Sequence, residues 1–138
     1  METLALSPES RYVAGAVLLT IVTIELGGWF LTRVLRGAVS MTPFQAAFAR
    51  AGHAHAGVLV TLGLVGLLFA DSTGLGGLWI WVARLGIPVA AALISAGFFF
   101  SSMGKEVTRP NRWIILIWLG AASLAAGVVT LGIGLLTA

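Results

Sequence analysis

The sequence predicts an all-α fold, a four-helix transmembrane bundle, and two observations carry that prediction. The first is composition. Of the 138 residues, 59% are hydrophobic and 9% charged, with mean hydropathy +1.03, whereas soluble globular domains carry about 25% charged residues. The second is pattern. Four long apolar runs, each near the roughly 20 residues that a hydrocarbon layer of about 30 Å requires, alternate with short segments rich in Gly, Pro, Ser and Thr. A chain of this length forms one domain. Residues 1–138 therefore read as one integral membrane domain, with spans at about 12–33, 43–70, 86–102 and 113–136.

The first span, about Tyr12 to Arg33, contains a single charge, Glu25. Glu2 and Glu9 stand where a cleavable signal places positive charge, and the apolar run exceeds an h-region, so this segment reads as a retained anchor. Gly37 to Met41 is a connector. Thr42-Pro43-Phe44-Gln45 then opens the second helix: Thr42 suits the N-cap, Pro43 the first helical position, and Gln45 the reciprocal arm of a capping box. Nothing breaks that helix before Asp71-Ser72-Thr73-Gly74, where Asp71 reads as a turn residue. Trp79, Trp81 and Arg84 favour a lipid–water boundary, and Gly86-Ile87-Pro88 either starts the third span or kinks it. After the polar loop 104–112, Pro110-Asn111 caps the last helix, which Trp113 and Trp118 open.

Composition and charge exclude several functions. The chain has no cysteine, which rules out disulfides and thiolate chemistry. Its net charge is +3, but the basic residues are scattered singly between apolar runs, a topology signal and not a nucleic-acid surface. No phosphate-binding glycine loop, catalytic triad or carboxylate pair is present, so an enzyme is not the expectation. Arg33, Arg36 and Arg50 flank the first loop and Lys105, Arg109 and Arg112 the third, against Arg11 and Arg84 on the other side. That excess predicts both basic loops in the cytoplasm and both termini outside a bacterial inner membrane. Gly52, Ala56, Gly63, Gly66 and Ala70 fall within about 40° of one line on the second helix, and Gly120, Ser123, Gly127, Gly132 and Gly134 repeat the theme on the fourth. Such faces serve close helix approach, within the chain or in a homo-oligomer, with a dimer the simplest case.

Both histidines lie in the stretch RAGHAHAG, residues 50–57. Positions i and i+2 point about 200° apart, so His53 and His55 face different neighbours and do not chelate one ion. The spacing turns His55 towards the small-residue face and the bundle interior, and His53 towards Arg50's side of the helix. Three roles stay open: structural rings bonded to water or carbonyls, ligands of a haem b or of a copper, iron or zinc ion, and a proton relay involving Glu25, His55 and Arg50. A carboxylate at the centre of a span costs about 2.5–3.5 kcal/mol and calls for a partner. Glu25 lies about 12 Å along its helix from Arg33, near the depth of His55. The expectation is a Glu25–His55 pair, hydrogen-bonded or with Glu25 supporting a metal-ligating imidazole. Met41 and Met103, on the same side, are lesser candidates as copper ligands.

The stretches RAGHAHAGVL and GFFFSSMGKEVTRPNRWI resemble a group of small four-span membrane proteins of actinobacterial type. The likeness covers most of the chain and implies the architecture without an activity. More loosely, the His53-Ala54-His55 element resembles the haem-ligating His-x-His of haem–copper oxidase and nitric oxide reductase main subunits, where the two rings serve different haems. It implies His53 and His55 as cofactor ligands, and with two histidines per chain, bis-histidine ligation would take a second copy. Four short spans with one carboxylate, Glu25, in the first also resemble the small multidrug resistance family, which implies proton-coupled transport. A third reading is an accessory or assembly subunit of a larger membrane complex.

Overall fold

In the computed structural model, which describes residues 6–138 and so leaves Glu2 outside, four α-helices alternate in direction. They are α1 (Pro8–Leu35), α2 (Pro43–Ala70), α3 (Gly77–Ser101) and α4 (Ile115–Leu136), the last entered through a 3₁₀ turn at Arg112–Ile114. Each is long and apolar enough to cross a membrane.

Local chemistry sets most boundaries. Ser7 caps α1 by accepting the Ser10 N–H, with Pro8 in the first turn. At its other end Gly37 takes φ 71°, which lets Gly37 N–H reach Val34 O and Ala38 N–H reach Arg33 O. That is the paired closure of a Schellman turn, in which a left-handed glycine satisfies the last carbonyls. The capping box forms at α2 as the sequence predicts: Thr42 Oγ1 accepts the Gln45 N–H and Gln45 Oε1 accepts the Thr42 N–H, both at 3.1 Å. Asn111 caps the 3₁₀ turn, its Oδ1 accepting the Trp113 N–H at 2.9 Å. The third span departs from expectation. It begins at Gly77, well before Gly86, and Pro88 sits inside it. Proline cannot donate the ladder bond to the carbonyl four residues back. Its ring instead packs on α2, where a Cβ added to Gly63 would lie 3.3 Å from Pro88 Cγ.

The helices pack as an open arc in which α1 touches α2 and, sparingly, α3, while no residue of α1 approaches α4. Only 6% of the most apolar stretch of α1 is buried, against 44% for α3. Lipid supplies no hydrophobic drive for helix association, so close seams depend on small residues. The α3–α4 seam is the closest: a Cβ on Gly86 would stand 2.5 Å from Gly127 Cα, and one on Gly97 2.8 Å from Ile117 N. The Ser123 hydroxyl donates to Gly86 O across it at 2.9 Å. On α2 the predicted stripe meets α3, with Gly52 under Phe98 and Phe99, Gly63 under Pro88 and Gly66 under Ile87. Gly132 stands apart, with open space at its Cβ position.

Candidate functional site

Alternation of the helices brings the two basic loops to the same end. There the Thr42 hydroxyl donates to Val107 O, and Gln45 Nε2 donates to Ser102 O at 3.0 Å and Gly104 O at 2.9 Å. Gln45 thus caps α2 with its oxygen and holds the α3–α4 loop with its nitrogen. A glutamate would serve the first role and fail the second, having no N–H to donate.

About three turns into α2 the histidines diverge, as their spacing requires, but their surroundings are exchanged relative to expectation. His53 is the half-buried ring. It lies against α1, where Cβ atoms built on Gly27 and Gly28 would stand 3.4 Å from its Nδ1 and 3.3 Å from its Cε1. The two glycines form a notch that the imidazole fills. His55 is exposed, its ring 5.1 Å from that of Phe98 on α3, and its Nδ1 lies 2.8 Å from Ala51 O. The reversal has a simple cause. The Gly52–Gly63–Gly66 stripe belongs to α3, whereas α1 packs on the neighbouring flank of α2, where His53 points.

Glu25 is exposed and, among the described residues, makes no hydrogen bond or ion pair. The chain itself therefore brings no Glu25–His55 pair together. Arg50 is exposed as well; Met41 is half-buried and Met103 exposed. Among the described residues no three His, Asp or Glu side chains converge on a metal position. A groove of about 120 Å³ between α1, α2 and α3, lined by Val17, Thr20, Ile24, Ala56, Val60 and Pro88, takes in neither histidine. The two rings thus point to different flanks of α2, His53 towards α1 and His55 beside Phe98 of α3.

The His53 notch gives a direct test of α1 docking. Gly28→Leu is expected to cost about 1–3 kcal/mol, the usual range for overpacking, measured by equilibrium unfolding in mixed micelles. His53→Ala in that background should recover part of the loss by vacating the notch, and equal destabilisation with and without His53 would remove the ring from α1 docking.

At the opposite end the structure assembles a polar cluster that sequence reasoning missed. Asp71, the C-cap of α2, accepts the Ser7 N–H at Oδ2 (2.8 Å) and, at Oδ1, the Ser10 hydroxyl (2.8 Å) and Arg84 Nη2 (2.9 Å). Arg84 Nη2 also donates to Ser7 Oγ, and its guanidinium lies 5.5 Å from the Trp81 ring centroid. The side chains of Arg84 and Asp71 are only 11% and 12% exposed, and Ser10 is fully buried. Burial raises the Asp71 carboxyl's affinity for a proton, but the bonds from Arg84, Ser7 and Ser10 outweigh it and hold the group below its ordinary 3.8. The sequence signalled only that Asp71 and Arg84 lie on one side, together with Glu9 and Arg11.

Four membrane-crossing helices define a multi-pass membrane protein, with two histidines in α2 and a carboxylate, Glu25, midway along α1. Comparison with protein-family models, curated proteins and solved structures found no match.

Proposed function

We propose that this protein is an integral membrane subunit that holds a metal centre, either haem iron or a bare copper, iron or zinc ion, through Nε2 of His55 at an interface with another chain. One observation carries the reading, the 2.8 Å contact between His55 Nδ1 and Ala51 O. A carbonyl oxygen only accepts, so Nδ1 bears the hydrogen, and in the neutral ring Nε2 keeps its lone pair. Metal-bound imidazoles are oriented in this way, one nitrogen donating to a carbonyl and the other free to ligate. Phe98 lies beside the ring, and His55 is exposed on the flank of α2 away from α1. His53 is less suited, because its notch is already filled by its own ring. One nitrogen does not complete a centre, so the remaining donors come from a second copy or a larger membrane complex. When bound, the centre would supply electron transfer or metal storage. The sixfold basic cluster, set against Arg11 and Arg84, favours a bacterial inner membrane with both loops cytoplasmic and both termini outside.

Gently solubilised, purified protein is expected to carry a Soret band or stoichiometric iron, copper or zinc. His55→Ala should lower that content at least tenfold and His53→Ala should leave it unchanged. Cofactor-free wild-type protein, or loss confined to His53→Ala, counts against the assignment. A second reading, proton-coupled transport, draws on Glu25, exposed and without a partner among the described residues; transport abolished by Glu25→Gln yet kept in the double variant His53→Ala/His55→Ala would select it.

A further inference from the structure

The chain beyond the interface can be specified from Glu25 and His55, which share a depth but not a flank. Ser10 meets Asp71 and Gly28 meets His53, and in both antiparallel pairs the residue numbers add to 81. Those of Glu25 and His55 add to 80, which puts them at one depth to within about 1.5 Å, the rise of one residue. On α1, Thr20 borders the groove shared with α3. Glu25 stands about 140° around the helix from Thr20, on the flank away from α3. At the same level of α2 is Gly57, whose Cβ position is open space, although Gly52, Gly63 and Gly66 all meet α3. His55 points about 200° from Gly57, on the opposite flank beside Phe98. Between the flanks runs an outer face of α2 carrying the small exposed residues Ala47, Ala54 and Thr61.

A two-fold axis along the membrane normal preserves depth and maps one flank of such a face onto the other, because isologous contacts are reciprocal. We infer that the second chain is another copy of this protein, packed α2 against α2, with Glu25 of each copy opposite His55 of the other. Gly57 and the small residues of the outer face then meet a neighbouring backbone. A carboxyl that is costly to leave alone in hydrocarbon gains an imidazole nitrogen as partner. The docking rests on the ligation reading of His55 and narrows it. With a carboxylate facing Nε2, the centre would be a bare divalent ion held by one imidazole nitrogen and one carboxylate oxygen from different copies, with water in its remaining positions, a donor set that suits zinc.

The cysteine-free chain makes the test direct. Two differently tagged copies, one Glu25→Cys and one His55→Cys, are co-expressed and treated in membranes with a short bis-methanethiosulfonate cross-linker. Each mixed dimer keeps one native Glu25–His55 pair. The expected result is a covalent dimer bearing both tags, at least tenfold more abundant than the dimer from either variant alone; equal yields overturn the docking. Titration of the wild-type dimer with Zn²⁺ separates the two proposals. One ion per chain, weakened at least tenfold by both Glu25→Gln and His55→Ala, supports the shared site. Cross-linking without ion binding leaves the docking standing and overturns ligation. Ion loss in His55→Ala but not in Glu25→Gln keeps ligation and overturns the shared site.

Discussion

Asp71→Ala is expected to destabilise the protein by about 3–5 kcal/mol, the range seen when one partner of a buried ion pair is removed. The loss is large because Arg84 Nε is buried without a bonding partner among the described residues, so the guanidinium depends on Asp71 for its charge compensation. Arg84→Ala should cost a similar amount, and the double variant less than the two singles together. Ser10→Ala removes one of the carboxylate's donors and should cost about 1–3 kcal/mol. The effect carries a pH signature. The folded carboxyl sits below 3.8, so its stabilisation is fully present above that pH and is lost as pH falls through the lower folded value. Unfolding midpoints of wild type and Asp71→Ala in mixed micelles should therefore converge in acid and separate at neutral pH. A constant gap across that range would assign the cluster's contribution to packing instead of charge.

Gly86→Leu should be nearly as damaging, at about 3 kcal/mol, the upper end of overpacking costs. The Cβ position at Gly86 meets Gly127 Cα and N and Ser123 O, all of them backbone atoms, and no side chain is there to turn aside. The α3–α4 seam must open, and the Ser123 bond to Gly86 O is lost with it. Gly132→Leu is the matched control, since nothing lies within 4 Å of that Cβ position, and should stay within about 0.5 kcal/mol. The same micelle unfolding measurement ranks the two, and comparable losses would show that helix propensity and not the seam is being read.

Where a residue's role is settled by its own neighbours in the chain, reading the sequence succeeded. Thr42, Pro43 and Gln45 start α2 because capping uses groups within one turn, and the predicted bounds of that helix match. Small residues on α2 and α4 indicated close packing, and Gly52, Gly63, Gly66, Gly120 and Gly127 all provide it. Arg84 shows the opposite case. As a lone arginine it marked a membrane boundary and delayed the expected start of α3, yet Asp71 neutralises it and the helix runs through from Gly77. Pro88 read as a start or a kink because its match to Gly63 lies on another helix.

The histidines mark the limit most sharply. Spacing alone established that two rings on one helix diverge, since the 100° step is intrinsic to the backbone. It did not establish which ring meets α1, because the glycine stripe on α2 identifies a contact face without naming the helix that fills it.

The sequence alone determined four apolar spans, their alternation with polar loops, the caps and the gathering of basic residues at one end, all consequences of local hydrophobicity and backbone hydrogen bonding. Tertiary structure decided the notch for His53, the place of His55 beside Phe98 and the Asp71–Arg84 cluster. Each of those depends on contacts between residues far apart in the chain, where shape complementarity and not composition selects the partner.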